Sequence, residues 1–121
     1  MGIVEGLLLR AARVRHWSEL LESARRLAQA QGRLLSAREA SEYGLDLLAL
    51  AESDGLTAQQ RQILLMHGEM WLVRPRWDRA ELIGLLGKQL QTYRPFSLSP
   101  KIDGEIDNIM GELEEIRAPE F

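Results

Sequence analysis

Residues 63–90 read ILLMHGEMWLVRPRWDRAELIGLLGKQL, and the folding of this stretch decides the folding of the chain. Ile63, Met66, Met70 and Val73 recur at the three-four-three spacing of one helical face, with Leu64 and Trp71 widening the stripe. Pro75 cannot continue a helix and pushes Arg74 towards extended backbone, so the helix is expected to end near Val73. After Trp77, Asp78 and Glu81 stand three apart in a capping-box pattern that starts a second helix, with Leu82, Ile83, Leu86 and Leu90 on its apolar face. The stretch therefore reads as a helical hairpin. Within its second arm Gly84 and Gly87 each cost about 1 kcal/mol against alanine, so the pair predicts close approach by a neighbouring backbone.

Upstream, Ile3, Leu7, Leu8, Ala11 and Val14 lie on one side of a first helix whose end carries Arg10, Arg13 and Arg15. Trp17 then precedes Ser18, a good N-cap, and Glu19 and Glu22 suit the first turn of a second helix that buries Leu20, Leu21, Ala24, Leu27 and Ala28 and ends at Gly32. Ser36 caps a third helix running to about Glu52, apolar nearly all round through Ala40, Tyr43, Leu47, Leu50 and Ala51 together with Leu45, Leu48 and Ala49, hence central. Ser53-Asp54-Gly55 is a turn, and Thr57 with Gln60 is a second capping box that opens the arm containing Ile63.

Downstream, Thr92 to Leu98 is a loop with Phe96 as its anchor, and Ser99-Pro100 starts a last helix. There Ile102, Ile106, Ile109, Leu113 and Ile116 recur at four-three-four-three, a coiled-coil seam only about two heptads long. From Lys101 to Arg117 six acids face two bases, and from Met1 to Arg38 seven arginines face three glutamates. Local charges of −4 and +4 predict either that the last helix packs near the first hairpin or that one of these faces meets a partner.

At 121 residues the chain is the size of one domain, and 45% hydrophobic with 27% charged residues places it among globular rather than disordered or membrane-embedded proteins. No apolar run approaches the roughly 18 residues of a membrane-spanning helix. Glu5 interrupts the early apolar segment where a signal peptide would need it whole, and residue 6 is Gly where myristoylation of Gly2 favours Ser or Thr. A cytoplasmic, bacterial-type protein is the expectation. The absence of cysteine removes disulfides, thiolate catalysis and cysteine metal sites together.

Searches for chemistry return reasons against it. His16 and His67 are the only histidines, and neither belongs to a Glu-x-x-His unit of a di-metal bundle. His67 lies one turn from Trp71 and reads as a partly buried packing residue. Gly84 to Gln89 lacks the outer glycine spacing, the hydroxyl residue and the preceding strand of a phosphate loop, and Glu114-Glu115 are adjacent on an exposed helix. No catalytic residue, metal or cofactor is expected.

Two resemblances bear on function. Leu64 to Pro95 resembles a single tetratricopeptide repeat, with Gly68, Trp71, Ala80 and Pro95 near that family's glycine, aromatic, alanine and proline positions and Trp77 opening the second helix; Gly84 and Gly87 stand where its second-helix aromatic and alanine would be. That resemblance implies an adaptor or chaperone. Leu56 to Leu64 resembles the opening of a winged helix-turn-helix of the bacterial SOS-repressor type, with Arg79-Ala80-Glu81-Leu82 and Gly87 similar to its helix before the turn. It implies a DNA-binding regulator using residues 56–110, but Asp103, Glu105 and Asp107 would then face phosphates, and the net charge is −3.

The expectation is a single all-α domain, 1–121, a compact bundle of about six helices in antiparallel hairpins spanning 2–31, 36–73 and 78–117. Its expected role is a non-catalytic interaction module: an adaptor, small chaperone or regulatory subunit that binds a protein partner or a second copy, with nucleic acid and membrane disfavoured. The candidate contact residues are Met66, Met70, Trp71 and Trp77 in one groove, or Ile102, Ile106, Ile109, Leu113 and Ile116 along the last helix.

Overall fold

The computed structural model describes residues 3–117, with side chains described from 14 to 116. Helix α1 runs Ile3–Gln29, strand β1 Leu34–Ser36, α2 Ala37–Ala51, α3 Ala58–Val73, β2 Arg76–Asp78, α4 Arg79–Tyr93 and α5 Pro100–Arg117, with a 3-10 turn at Arg94–Phe96. The fold is all-α, and no helix among the described residues is long and apolar enough to cross a membrane.

Among the described residues five α-helices are present where about six were expected, because the break at Trp17-Ser18 does not occur. α1 is one helix of 27 residues, roughly 40 Å long. A serine caps only where the helix is already interrupted, and no glycine or proline stands between Leu7 and Gln31 to interrupt it. Trp17 consequently sits mid-helix, fully buried. The other starts fall where the caps put them. At Thr57 the box is complete, with Gln60 N donating to Thr57 Oγ1 at 3.1 Å and Thr57 N donating to Gln60 Oε1 at 3.0 Å. At Asp78 only half forms: Glu81 N donates to Asp78 Oδ2 at 3.2 Å, while the Glu81 carboxylate accepts instead from the Arg74 guanidinium at 2.8 and 3.0 Å. Ser36 N donates to Glu39 Oε2 at 3.1 Å, and α5 begins at Pro100 after Ser99.

β1 and β2 form an antiparallel ladder that periodicity cannot reveal, since three residues are too few to alternate. Leu35 pairs with Trp77, both buried, and the ladder is bounded by Arg79 N donating to Arg33 O at 2.8 Å and Ala37 N donating to Pro75 O at 2.9 Å. The chain thus contains two helix-strand-helix units, α1–β1–α2 and α3–β2–α4, tied together at their strands. In each, a buried apolar residue precedes an N-cap and, three positions later, a glutamate: Leu35-Ser36 with Glu39, Trp77-Asp78 with Glu81.

α2 packs on α3 more extensively than any other helix pair, α1 lies on α2, and α5 lies across α4 and α1. Close approach of α2 and α3 depends on Gly44 and Gly68. A Cβ at Gly44 would meet the Gly68 carbonyl and Trp71 Cβ, each at 3.0 Å, and one at Gly68 would meet Leu48 at 2.7 Å. The pair expected to serve this purpose does not: nothing lies within 4 Å of a Cβ at Gly84, and one at Gly87 meets only Leu113 at 3.9 Å. Nor do α3 and α4 pack as a tight hairpin, since large side chains separate them. The tetratricopeptide resemblance implies direct packing of that pair; here β2 holds the connection to β1 instead.

Candidate functional site

α3 carries apolar residues on two opposite faces, and the molecule buries the one centred on Leu64, Gly68 and Trp71. Trp71 is fully buried and stacks on Trp77 with centroids 4.3 Å apart, while Tyr43 of α2 meets its edge at 5.1 Å. Trp71 Nε1 donates to Gln89 Oε1 of α4 at 2.8 Å, and the Tyr43 hydroxyl donates to the same oxygen at 3.5 Å. One turn earlier, His67 Nδ1 lies 2.5 Å from the Tyr93 hydroxyl. Burial holds His67 below the ordinary imidazole value and raises both tyrosines, so this cluster between α2, α3 and α4 is neutral near pH 7. Arg74 closes its end, the guanidinium carbon 4.4 Å from the Trp77 ring centroid.

Of the stripe Ile63, Met66, Met70 and Val73, the middle of the face turns outward while Ile63 and Met70 at its edge pack against the core. Met66 is 58% and Val73 76% exposed, with Ile63 and Met70 half-buried along the rim. Leu45 of α2 and Leu72 of α3 are also exposed, on the α2 side of α3 and away from this stripe. Among the candidate contact residues, Met66 and Met70 lie on the stripe, whereas Trp71 and Trp77 belong to the core and line no groove. Along α5, Ile102, Ile106, Ile109 and Leu113 are buried, and Ile116 at the end of the seam is exposed. The charge asymmetry agrees with that packing: α5 lies on α1, and Arg25 Nε reaches Glu112 Oε2 at 3.4 Å, although an ion pair this exposed contributes little.

Val73 as a surface residue escaped sequence reasoning. Its place in the stripe was visible, but spacing alone does not say which of two apolar faces turns inward.

A concavity of about 790 Å³ opens beside the ladder between Gly32, Arg33, Asp78, Arg79, Ile83 and Ile116. Two of its polar side chains are already engaged. Arg79 donates to the carbonyls of Ala28 and Ala30 at the end of α1, at 3.3 and 3.2 Å, and the Asp78 carboxylate caps α4. A second hollow collects Glu19, Glu22, Glu42 and Asp46 around Arg26; there Ser23 donates to Asp46, and burial raises the Asp46 carboxyl above its ordinary value. Among the described residues, no three histidine, aspartate or glutamate side chains are grouped to hold a metal ion. Comparisons of the chain with protein-family models, with curated proteins and with solved structures found no match.

Proposed function

We propose that this chain is a non-catalytic protein-protein interaction module, an adaptor, small chaperone or regulatory subunit, that receives an amphipathic helix of a protein partner on the outward face of α3. The observation that carries the reading is a second apolar stripe on α3, with Met66 and Val73 open to solvent and Ile63 and Met70 half-buried at its edge, opposite the buried face of Leu64, Gly68 and Trp71. A helix apolar on both sides is normally enclosed. Here the second side meets solvent, in the anchor spacing by which helices dock in grooves, and two of its four residues are methionines, whose flexible thioethers adapt to varied partners. A stable interface covers roughly 800 Å² on each partner, more than four side chains offer. The partner helix would therefore also cover the polar residues flanking the stripe on α3, Gln59, Gln62 and Glu69, which are exposed.

The commitment of Arg79 and Asp78 in the 790 Å³ concavity to the ends of α1 and α4 favours this reading over an enzymatic one. DNA binding by residues 56–110 is the less favoured alternative, because α5 would bring Asp103, Glu105 and Asp107 towards phosphates.

The test is the double variant Met66→Glu/Val73→Glu, compared with wild type for melting temperature and for capture of partners from the source cell. Its melting temperature is expected within a few degrees of wild type, since exposed substitutions change stability by about 0.5 kcal/mol or less, with capture lost at least tenfold. Unchanged capture with salt-sensitive retention on non-specific duplex would instead favour the DNA reading.

A further inference from the structure

From Arg79 onward the backbone stays right-handed helical through α4 and the 3-10 turn, with Arg94 at φ −50°, ψ −48° and Ser97 at φ −71°, ψ −37°. The chain then reverses at Leu98, φ +53°, the one non-glycine residue of positive φ among those described. Left-handed backbone strains a leucine, because its Cβ crowds the following carbonyl oxygen. The side chain gains no burial in return, being 71% exposed. Beyond this hinge α5 is a self-contained unit, burying Ile102, Ile106, Ile109 and Leu113 chiefly against α4 and α1. Arg94, on the near side of the hinge, holds Asp107 on the far side through two contacts of 2.9 and 3.0 Å.

We propose that α5 exchanges between two copies of this chain. Leu98 relaxes to extended backbone, each α5 leaves its own α4 and α1, and each fills the same seam on the other copy to give a two-fold dimer. The contacts along α5, including Arg94 to Asp107, are remade between chains. The closed monomer and the exchanged dimer therefore differ mainly at residues 97–99 and in the freedom lost on association. A short hinge under strain favours exchange. The occupant is a second copy of this chain, because the seam already fits this helix and carries the charge partner for Asp107. The proposal depends on α5 and its hinge, independently of the α3 stripe.

Charge reversal across the hinge tests it. Alone, Arg94→Asp places two carboxylates together and Asp107→Arg two guanidiniums. Only an exchanged heterodimer of the two variants restores both pairs, one native and one reversed. After the two are unfolded together in equal amounts and refolded at high concentration, native mass spectrometry is expected to find the heterodimer well above the half-share of random pairing. Monomers alone, or dimers in random proportion, would overturn the proposal. Leu98→Gly, which removes strain, provides a second reading that does not depend on those variants folding. Its dimer fraction after refolding is expected to fall several-fold below wild type; equal fractions, or no dimer in either protein, would refute the exchange.

Discussion

Ten glycines are present, and they do different work that composition cannot distinguish. Gly44 lies against backbone and a Cβ atom that cannot rotate away, whereas Gly68 meets first a leucine side chain that can. Gly84 faces open space inside a helix. Opposite outcomes are therefore expected from one substitution type. Gly44→Ala should destabilise by about 1–3 kcal/mol through forced separation of α2 and α3. Gly84→Ala should stabilise by about 0.5–1 kcal/mol through helix propensity and a less flexible unfolded chain. Urea titration of both variants at constant m-value checks this, and a loss at Gly84 would mean that a neighbour packs there. Sequence reading noticed the glycines three apart and passed over the pair that matters, because Gly44 and Gly68 lie on separate helices and become partners only through tertiary packing.

At the scale of elements, caps were legible and phase was not. Thr57 with Gln60, Asp78, Ser36 and Ser99-Pro100 mark helix starts through local hydrogen-bond chemistry, which the residues themselves carry. The inward face of α3 depends on where α2 and α4 stand, and both of its stripes satisfy helical spacing. The break expected at Ser18 failed for the converse reason, a local cap preference overridden by an uninterrupted helix. Between α3 and α4, where backbones stay apart, His67 and Tyr93 supply one of the links, and that link responds to pH. His67 is held below the ordinary value of 6.5, so the unfolded chain takes up the proton more readily. Stability should be complete above that value and decline as pH falls from it towards the folded-state value. The opposite shift at Asp46 acts from the carboxylate side, since a raised carboxyl favours the folded state as pH falls. In wild type the urea midpoint is expected to drop between about pH 7.5 and about pH 5.5, and His67→Phe should flatten that slope. An undiminished slope in the variant would assign the effect elsewhere.

At the scale of the whole molecule, two helix-strand-helix units meet at the Leu35–Trp77 ladder, and α5 covers the side where α1 and α4 stand apart. On the other side α2 and α3 close directly on each other through their glycines, so no sixth helix is needed there. The consequence is an apolar surface on α3 that the described residues leave open. The opposing charges of the first and last segments offered the contact between α1 and α5 as one of two readings, but nothing in the chain announced a strand pair of three residues. The interaction reading depends on which face of α3 meets water, and hydroxyl-radical footprinting of the folded chain measures this directly. Met66 should be modified rapidly, with Trp71 and Trp77 protected until the protein unfolds; rapid modification of Trp71 with Met66 protected would contradict it.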